Sequence, residues 1–195
     1  RYHLILLAKN NTGYKNLLAL SSKSHLEGFY YKPRVDKQLL RQHSEGLIAL
    51  SGCLNGEAAK AVLSGNIDGA EKILMEYAEI FGKDNFYLEL QHHPNIPEQI
   101  RLNKALVELS KKLALPLVAT QDSHYLRPQD AEAQDILLAI QTGDKTNSEK
   151  RNLSMKDEDF SLTPPEEMHA AFKNLPEAVV NTEKIKEQCN VDIEL

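Results

Sequence analysis

Short apolar runs alternate with amphipathic stretches along this chain. His3 to Ala8, Gly46 to Ser51, Asn85 to Gln91 and Leu115 to Thr120 are compact stretches of mainly aliphatic and aromatic side chains. Runs of that length, bounded by turn-forming residues, predict buried strands. Between them the apolar positions recur at helical spacing. Asn11-Thr12-Gly13 opens a helix carrying Leu17, Leu18 and Leu20 and ending near Gly28. Asp36 is placed to cap a short helix through Gln42, and Asn55-Gly56-Glu57 starts another. Asp68 to Ile80 presents Ile73, Leu74, Tyr77 and Ile80 on one side, and the next helix presents Ile100, Leu102, Leu106 and Leu109.

Beyond Thr120 the pattern turns helical. Pro128 to Gln141 predicts an amphipathic helix with Ala131, Ile136, Leu137 and Ile140 toward the core. Gly143 to Asp159 is polar and turn-rich, a surface excursion. Thr163-Pro164-Pro165-Glu166-Glu167 predicts a helix start with Thr163 as cap, and Pro176 starts a last helix to about Cys189. Asn190 to Leu195 reads as a final strand or exit linker. The order β-α-α-β-α-α-β-α-β-α predicts an α/β domain with right-handed crossovers and a mostly parallel sheet, either a barrel or an open doubly wound layer.

Composition narrows the class. The 195 residues suffice for one domain or two small ones, and 42% hydrophobic with 26% charged residues is ordinary for a globular protein. Net charge is −5, from 23 basic and 28 acidic side chains, which argues against a general electrostatic grip on nucleic acid while leaving room for a local basic patch. No apolar run approaches membrane-spanning length, so no membrane partner is expected. Arg1-Tyr2-His3-Leu4 lacks the order of a signal peptide and opens directly on a strand, so the chain reads as a piece of something longer. Cys53 and Cys189 are too few for a disulfide framework, and a cytoplasmic location is expected.

Candidate chemistry gathers where strands end. Gln121-Asp122-Ser123-His124 follows the fourth strand, and a carboxylate and an imidazole two residues apart supply oxygen and nitrogen donors to a metal. The second strand ends at Cys53 and the third at His92-His93. In a parallel sheet these exits share one side, where α/β folds bind ligands. His3 sits at the beginning of the first strand, and the pattern alone does not place it on that side. Such a set suits metal-assisted phosphoester hydrolysis. Plainer readings stand beside it. Cys53 is by itself a small buried side chain, His92 and His93 a strand end with surface roles, and Asp122 a turn cap. Phe29-Tyr30-Tyr31 with Lys32 and Arg34 reads as a loop packed between helices, or as a platform for bases. His25, His43 and His169 read as solvated.

Long ordered stretches then carry a family resemblance. Tyr2 to Leu17, Gly28 to Asp36, Glu45 to Leu54, Phe86 to His93, Val118 to Tyr125, Asp130 to Gly143, and the tail from Asn181 to Val191 together resemble the PHP (polymerase and histidinol phosphatase) domain of the bacterial DNA polymerase III alpha subunit. The resemblance implies an incomplete TIM-like (β/α)7 barrel with helical insertions. Residues 1–195 would be the C-terminal portion of one PHP domain, the last few leading toward the polymerase palm. It implies His3, Cys53, Asp122 and His124 as metal ligands, for zinc or manganese, two or three ions in the complete domain. His93 takes no ligand role from it. The family's His-x-His motif does not occur here.

The implied function is a share in a replicative DNA-directed DNA polymerase, a nucleotidyltransferase, with a metal-dependent phosphoesterase or 3′-5′ proofreading exonuclease site. The alternatives are a structural scaffold that docks a separate proofreading exonuclease, or a stand-alone phosphatase. The implied partners are the remainder of the alpha subunit, DNA, a proofreading exonuclease and other replisome subunits. By itself the chain is expected to be inactive or weakly active.

Overall fold

The computed structural model describes residues 1–143, 155 and 158–193. A four-stranded sheet forms the centre, in the order β1 (Ile5–Ala8), β2 (Leu47–Leu50), β3 (Phe86–Gln91), β4 (Leu117–Thr120). All four apolar runs of the sequence are strands. The helices between them are α1 (Asn11–Leu26), α2 (Lys37–Gln42), α3 (Glu57–Leu63), α4 (Ile67–Phe81) and α5 (Pro97–Leu113). A 3-10 turn at Pro128–Asp130 leads into α6 (Ala131–Thr142), followed by α7 (Pro165–Ala171) and α8 (Pro176–Gln188).

Local capping sets several helix starts. Asn10 Oδ1 accepts from Gly13 N, Asp36 Oδ1 from Leu39 N, and Asn66 Oδ1 from Gly69 N, each satisfying an amide that the first helical turn leaves unpaired. α7 starts one residue later than the Thr163 cap implied: Pro164 occupies the cap position and Pro165 the first helical one, where a missing N–H costs nothing. Residues 190–193 form no strand, and most of the polar stretch from Gly143 to Asp159 lies outside the described residues.

The sheet is mostly parallel, with one departure. β2–β3 and β3–β4 are parallel, but β1 runs antiparallel to β2, with Ile5 opposite Leu50 and Ala8 opposite Leu47. The connection explains it. α1 carries the chain away from the end of β1, and the 27–36 loop with α2 carries it back, so β2 starts where β1 stopped. There Lys9 N donates to Gly46 O at 2.8 Å and Asn16 Nδ2 to Glu45 O. The approach is close enough that only glycine fits: Gly46 has φ +71, and a Cβ on it would lie 2.6 Å from Gly13 N.

Alternating strand residues face two layers. Leu47, Ala49, Phe86, Leu88, Leu90, Leu117 and Ala119 join the main core under α3, α4 and α5, with Leu74, Leu102 and Leu106 from the helices. On the other face Ile48, Leu50, Tyr87 and Val118 pack with Ile185 of α8. α8 crosses that second face from edge to edge. Asn181 Nδ2 donates to Leu117 O on β4 at 2.7 Å, and just beyond the helix Asn190 N donates to Lys9 O beside β1 at 2.8 Å. Toward the C-terminal ends of β3 and β4 the same face becomes polar, with Glu89, Gln91 and Thr120 in place of aliphatic residues.

One expected apolar face proves wrong, and a second holds except at one residue. On α6 the residues that pack inward are Asp135, Leu138 and Ala139, while Ile136, Leu137 and Ile140 are exposed. The helix is rotated so that Leu138 and Ala139 reach the protein, and the wider apolar stripe points outward. Ile100 on α5 is exposed as well, whereas Leu102, Leu106 and Leu109 are buried.

Candidate metal centre

The site is assembled at the C-terminal ends of β2, β3 and β4. β2 leaves the sheet through Ser51, whose N–H donates to Tyr87 O while its hydroxyl oxygen accepts from Glu89 N at 2.9 Å. The chain then turns at Gly52, with φ +82, and a Cβ there would lie 2.9 Å from His3 O. Glycine thus lets the β2 exit press against the segment preceding β1. His3 N donates to Asn55 O, and Gly56 N closes the turn on Cys53 O.

This contact settles where His3 lies. Because β1 is antiparallel to its neighbour, its beginning falls at the end where the parallel strands finish. His3 Nδ1 stands 3.4 Å from Cys53 Sγ. Burial is the main cause that pushes the Cys53 thiol above its usual range; an Asn55 backbone contact opposes the rise, and the negative charges of Asp122 and Glu89 add to it.

β4 delivers the second group. Asp122 adopts the left-handed backbone region, φ 55, which Asp tolerates better than most residues. The turn aims its carboxylate between two imidazoles: Oδ1 lies 3.3 Å from His124 Nε2 and Oδ2 lies 3.4 Å from His93 Nε2. Asp122 therefore does more than cap a turn. The loop is held by its surroundings, as His124 N donates to Phe160 O at 2.8 Å and Gln121 Nε2 to Thr163 O at 2.7 Å. The Phe160 ring packs against His93 at 4.7 Å and against His124 at 5.6 Å between centroids.

Two residues of this centre lie outside the ligand set that the sequence reading settled on. His93, read more readily as a surface strand end than as a donor, is buried, with 3% of its area exposed, and neither ring nitrogen has a hydrogen-bond partner among the described residues. Glu89 is equally buried on β3. Its Oε1 accepts from Thr120 Oγ1 at 2.6 Å and from Gln91 Nε2 at 3.2 Å, but Oε2 accepts no hydrogen bond among the described residues. Burial outweighs those two donors and raises the carboxyl above its usual range. The signal for Glu89 was present in the sequence: a charge inside an otherwise apolar strand has to be matched by something. His92 is exposed and stands apart, edge-on to Phe172 at 6.2 Å.

The donor types fit a borderline divalent ion. A thiol, a carboxylate and imidazoles are the ligands zinc and its neighbours prefer, and unpartnered buried polar atoms at His93 and Glu89 leave capacity at the same place. The four residues form two pairs, His3 with Cys53 and Asp122 with His124. Among the described residues, no three His, Cys, Asp or Glu side chains are gathered closely enough to hold one ion by themselves. Among those residues, also, no helix is long and apolar enough to cross a membrane.

Residues 1–93 match the PHP domain family. That span includes His3, Cys53, Glu89 and His93 and stops before Asp122. Over nearly its whole length the chain is similar to a segment of proteins called DNA polymerase III subunit alpha. It is 47% identical over 192 residues to the one from Treponema pallidum, covering 98% of this chain and 16% of that protein. It is 48% identical over 189 residues to the one from Borreliella burgdorferi, covering 97% and 16%. The figures for Thermus aquaticus are 46% over 198 residues, 98% and 16%. The chain thus spans about one sixth of the length of these relatives.

Proposed function

We propose, for a chain whose residues 1–93 match the PHP domain family and whose full span is similar to part of DNA polymerase III alpha subunits, that it is a segment of the alpha subunit of a replicative DNA polymerase. In that setting the whole protein is a DNA-directed nucleotidyltransferase of the cytoplasm. This segment supplies one side of a metal-dependent phosphodiesterase centre that removes nucleotides from 3′ ends. The observation that carries the reading is the position of His3. The reversed first strand brings it to Cys53, at the sheet end where Asp122 and His124 also lie.

His3, Cys53, Asp122 and His124 would hold zinc or manganese, shared among two or three ions with ligands from elsewhere in the protein. Such ions supply Lewis acidity, polarising a phosphoryl oxygen and acidifying a water. The rest is done by side chains on these loops. Asp122 orients His124 through Oδ1 and faces the buried His93 ring with Oδ2. Burial first, and the negative charges of Asp122 and Glu89 as well, raise the Cys53 thiol, which would have to give up its proton to serve as a ligand. Phe160 shields His93 and keeps bulk water from that side of the Asp122 carboxylate.

A second reading is favoured by two observations. No three donors converge among the described residues, and α6 exposes the stripe Ile136, Leu137 and Ile140. In that reading the segment is a scaffold that steadies the polymerase and docks a proofreading exonuclease. Metal content and 3′-5′ exonuclease activity of the full-length protein discriminate the two. Stoichiometric zinc or manganese, and cleavage lost in both Cys53→Ser and Asp122→Asn, support the phosphodiesterase. A metal-free protein whose residual nuclease ignores both substitutions supports the scaffold.

A further inference from the structure

The Gly28–Asp36 loop is the part of the surface that the proposed centre leaves unexplained. It was expected to pack between helices, and it does not. Phe29, Tyr30 and Tyr31 are 58%, 64% and 83% exposed, three consecutive aromatic side chains turned to solvent. Three adjacent exposed rings carry a hydration cost that a surface with no partner has no reason to bear. The loop is also shaped. Tyr30 N donates to Lys32 O across a one-residue turn, Tyr31 holds the left-handed conformation with φ 61, and the two tyrosine rings meet edge to face at 4.6 Å. The Arg34 guanidinium lies 5.0 Å from the Tyr30 ring centre.

Charge accompanies the rings. The loop borders a cleft of about 780 Å³ that runs to His3 and is lined by Arg1, Tyr2, Lys32, Arg34 and Lys37 among others. The two acids lining it are already engaged. Asp36 caps α2, and Glu57 is held by Lys37 at 2.9 Å and by the Tyr77 hydroxyl at 2.8 Å. Arg1, Lys32 and Arg34 make no ion pair with any described residue. A chain of net charge −5 thus keeps three cations without an ion pair along a cleft that reaches a candidate metal ligand, with three exposed rings on the loop that supplies Lys32 and Arg34.

We infer that this cleft with its bordering loop is a docking groove for single-stranded nucleic acid, with bases stacked on Tyr30 and Tyr31 and phosphates on Lys32, Arg34 and Arg1, feeding a strand end toward His3. The inference deepens the phosphodiesterase reading, on which its destination rests. Exposed rings interleaved with cations match a single strand, whose bases offer free faces. A duplex hides those faces in its stack, so the groove discriminates in favour of frayed or unpaired ends. The Arg34–Tyr30 contact presents ring and guanidinium together, as stacking on one base and holding the adjoining phosphate require.

The test is photo-cross-linking of the full-length protein, in EDTA, to a single-stranded oligodeoxynucleotide with 5-iodouracil near its 3′ end, with adducts mapped by peptide mass spectrometry. Adducts are expected at Tyr30 or Tyr31. Tyr30→Ala with Tyr31→Ala should weaken capture at this peptide about tenfold or more, and Lys32→Ala with Arg34→Ala should flatten its salt dependence. Circular dichroism of each variant checks that the fold is intact. A 28–36 peptide free of adducts overturns the inference, as does capture insensitive to both variant pairs, or a loop shielded by another part of the protein. Because chelation silences any nuclease, adducts that persist in Cys53→Ser separate failure of the cleavage reading from failure of this one.

Discussion

Asp122 Oδ2 lies 3.4 Å from the Nε2 of His93, an imidazole sealed from solvent whose ring nitrogens make no hydrogen bond among the described residues. One carboxylate thereby links a buried ring to the half-exposed His124, and its charge organises both. Asn accepts the same left-handed backbone and keeps an oxygen at the same place, so Asp122→Asn removes the charge with little strain. The expected outcome for the full-length protein is at least about a tenfold fall in retained zinc or manganese, with the thermal midpoint within about 2 °C of the parent. Elemental analysis and calorimetry on one preparation check it. An undiminished metal content would remove Asp122 from the ligand set.

Gly52 offers a test of the fold rather than the chemistry. Its φ of +82 and its closeness to His3 O leave no room for a methyl group. Gly52→Ala should cost roughly 1–3 kcal/mol in urea unfolding and should also disturb the His3–Cys53 contact. A variant as stable as the parent would mean that the β2 exit can relax away from His3.

An enclosed strand residue and an exposed helix residue should respond differently to substitution. Phe86 is wholly enclosed, and Phe86→Ala should destabilise by about 3–5 kcal/mol. Leu137 on α6 is 55% exposed, so Leu137→Glu should change stability by no more than about 0.5 kcal/mol. A large loss from Leu137→Glu in the full-length protein would show that another part of it covers this helix.

Tyr77 gives a pH dependence of definite sign. Burial first, then the hydrogen bond to Glu57 and the charges of Glu57 and Glu76, push its hydroxyl well above the ordinary value of 10.0. The folded protein therefore keeps the proton where the unfolded chain releases it. The stabilisation is fully present below about pH 10 and fades as the pH rises beyond that. Tyr77→Phe should flatten this alkaline arm in denaturation curves from pH 8 to 11, at a neutral-pH cost of about 1 kcal/mol for the lost hydrogen bond. Parallel arms for the two proteins would contradict the assignment.

Much of this architecture was legible residue by residue. The four strands follow from apolar runs, and Asn10 and Asp36 mark helix starts because their side chains can reach the amides of the first turn. The direction of β1 was not legible. Nothing in Ile5 to Ala8 encodes it; the reversal arises from the double traverse of α1 and α2, a property of lengths and packing. That single fact decides whether His3 joins Cys53. The α6 face was misread because Ile136, Leu137 and Ile140 outnumber Leu138 and Ala139, and periodicity gives the stripe without saying what it meets. His93 was read as the end of a strand before Pro94, with surface roles, while Phe160, far along the chain, is what covers it.

α8 fastens both outermost strands, through Leu117 O at one margin and Lys9 O at the other. It works as a strap around the sheet, and a strap gives way as a whole. Were its grip on β4 to slip, the β1 margin would lose its tether in the same event, and His3 would drift from the thiol it faces. Holding the last helix in place and keeping the imidazole beside Cys53 are therefore one mechanical task.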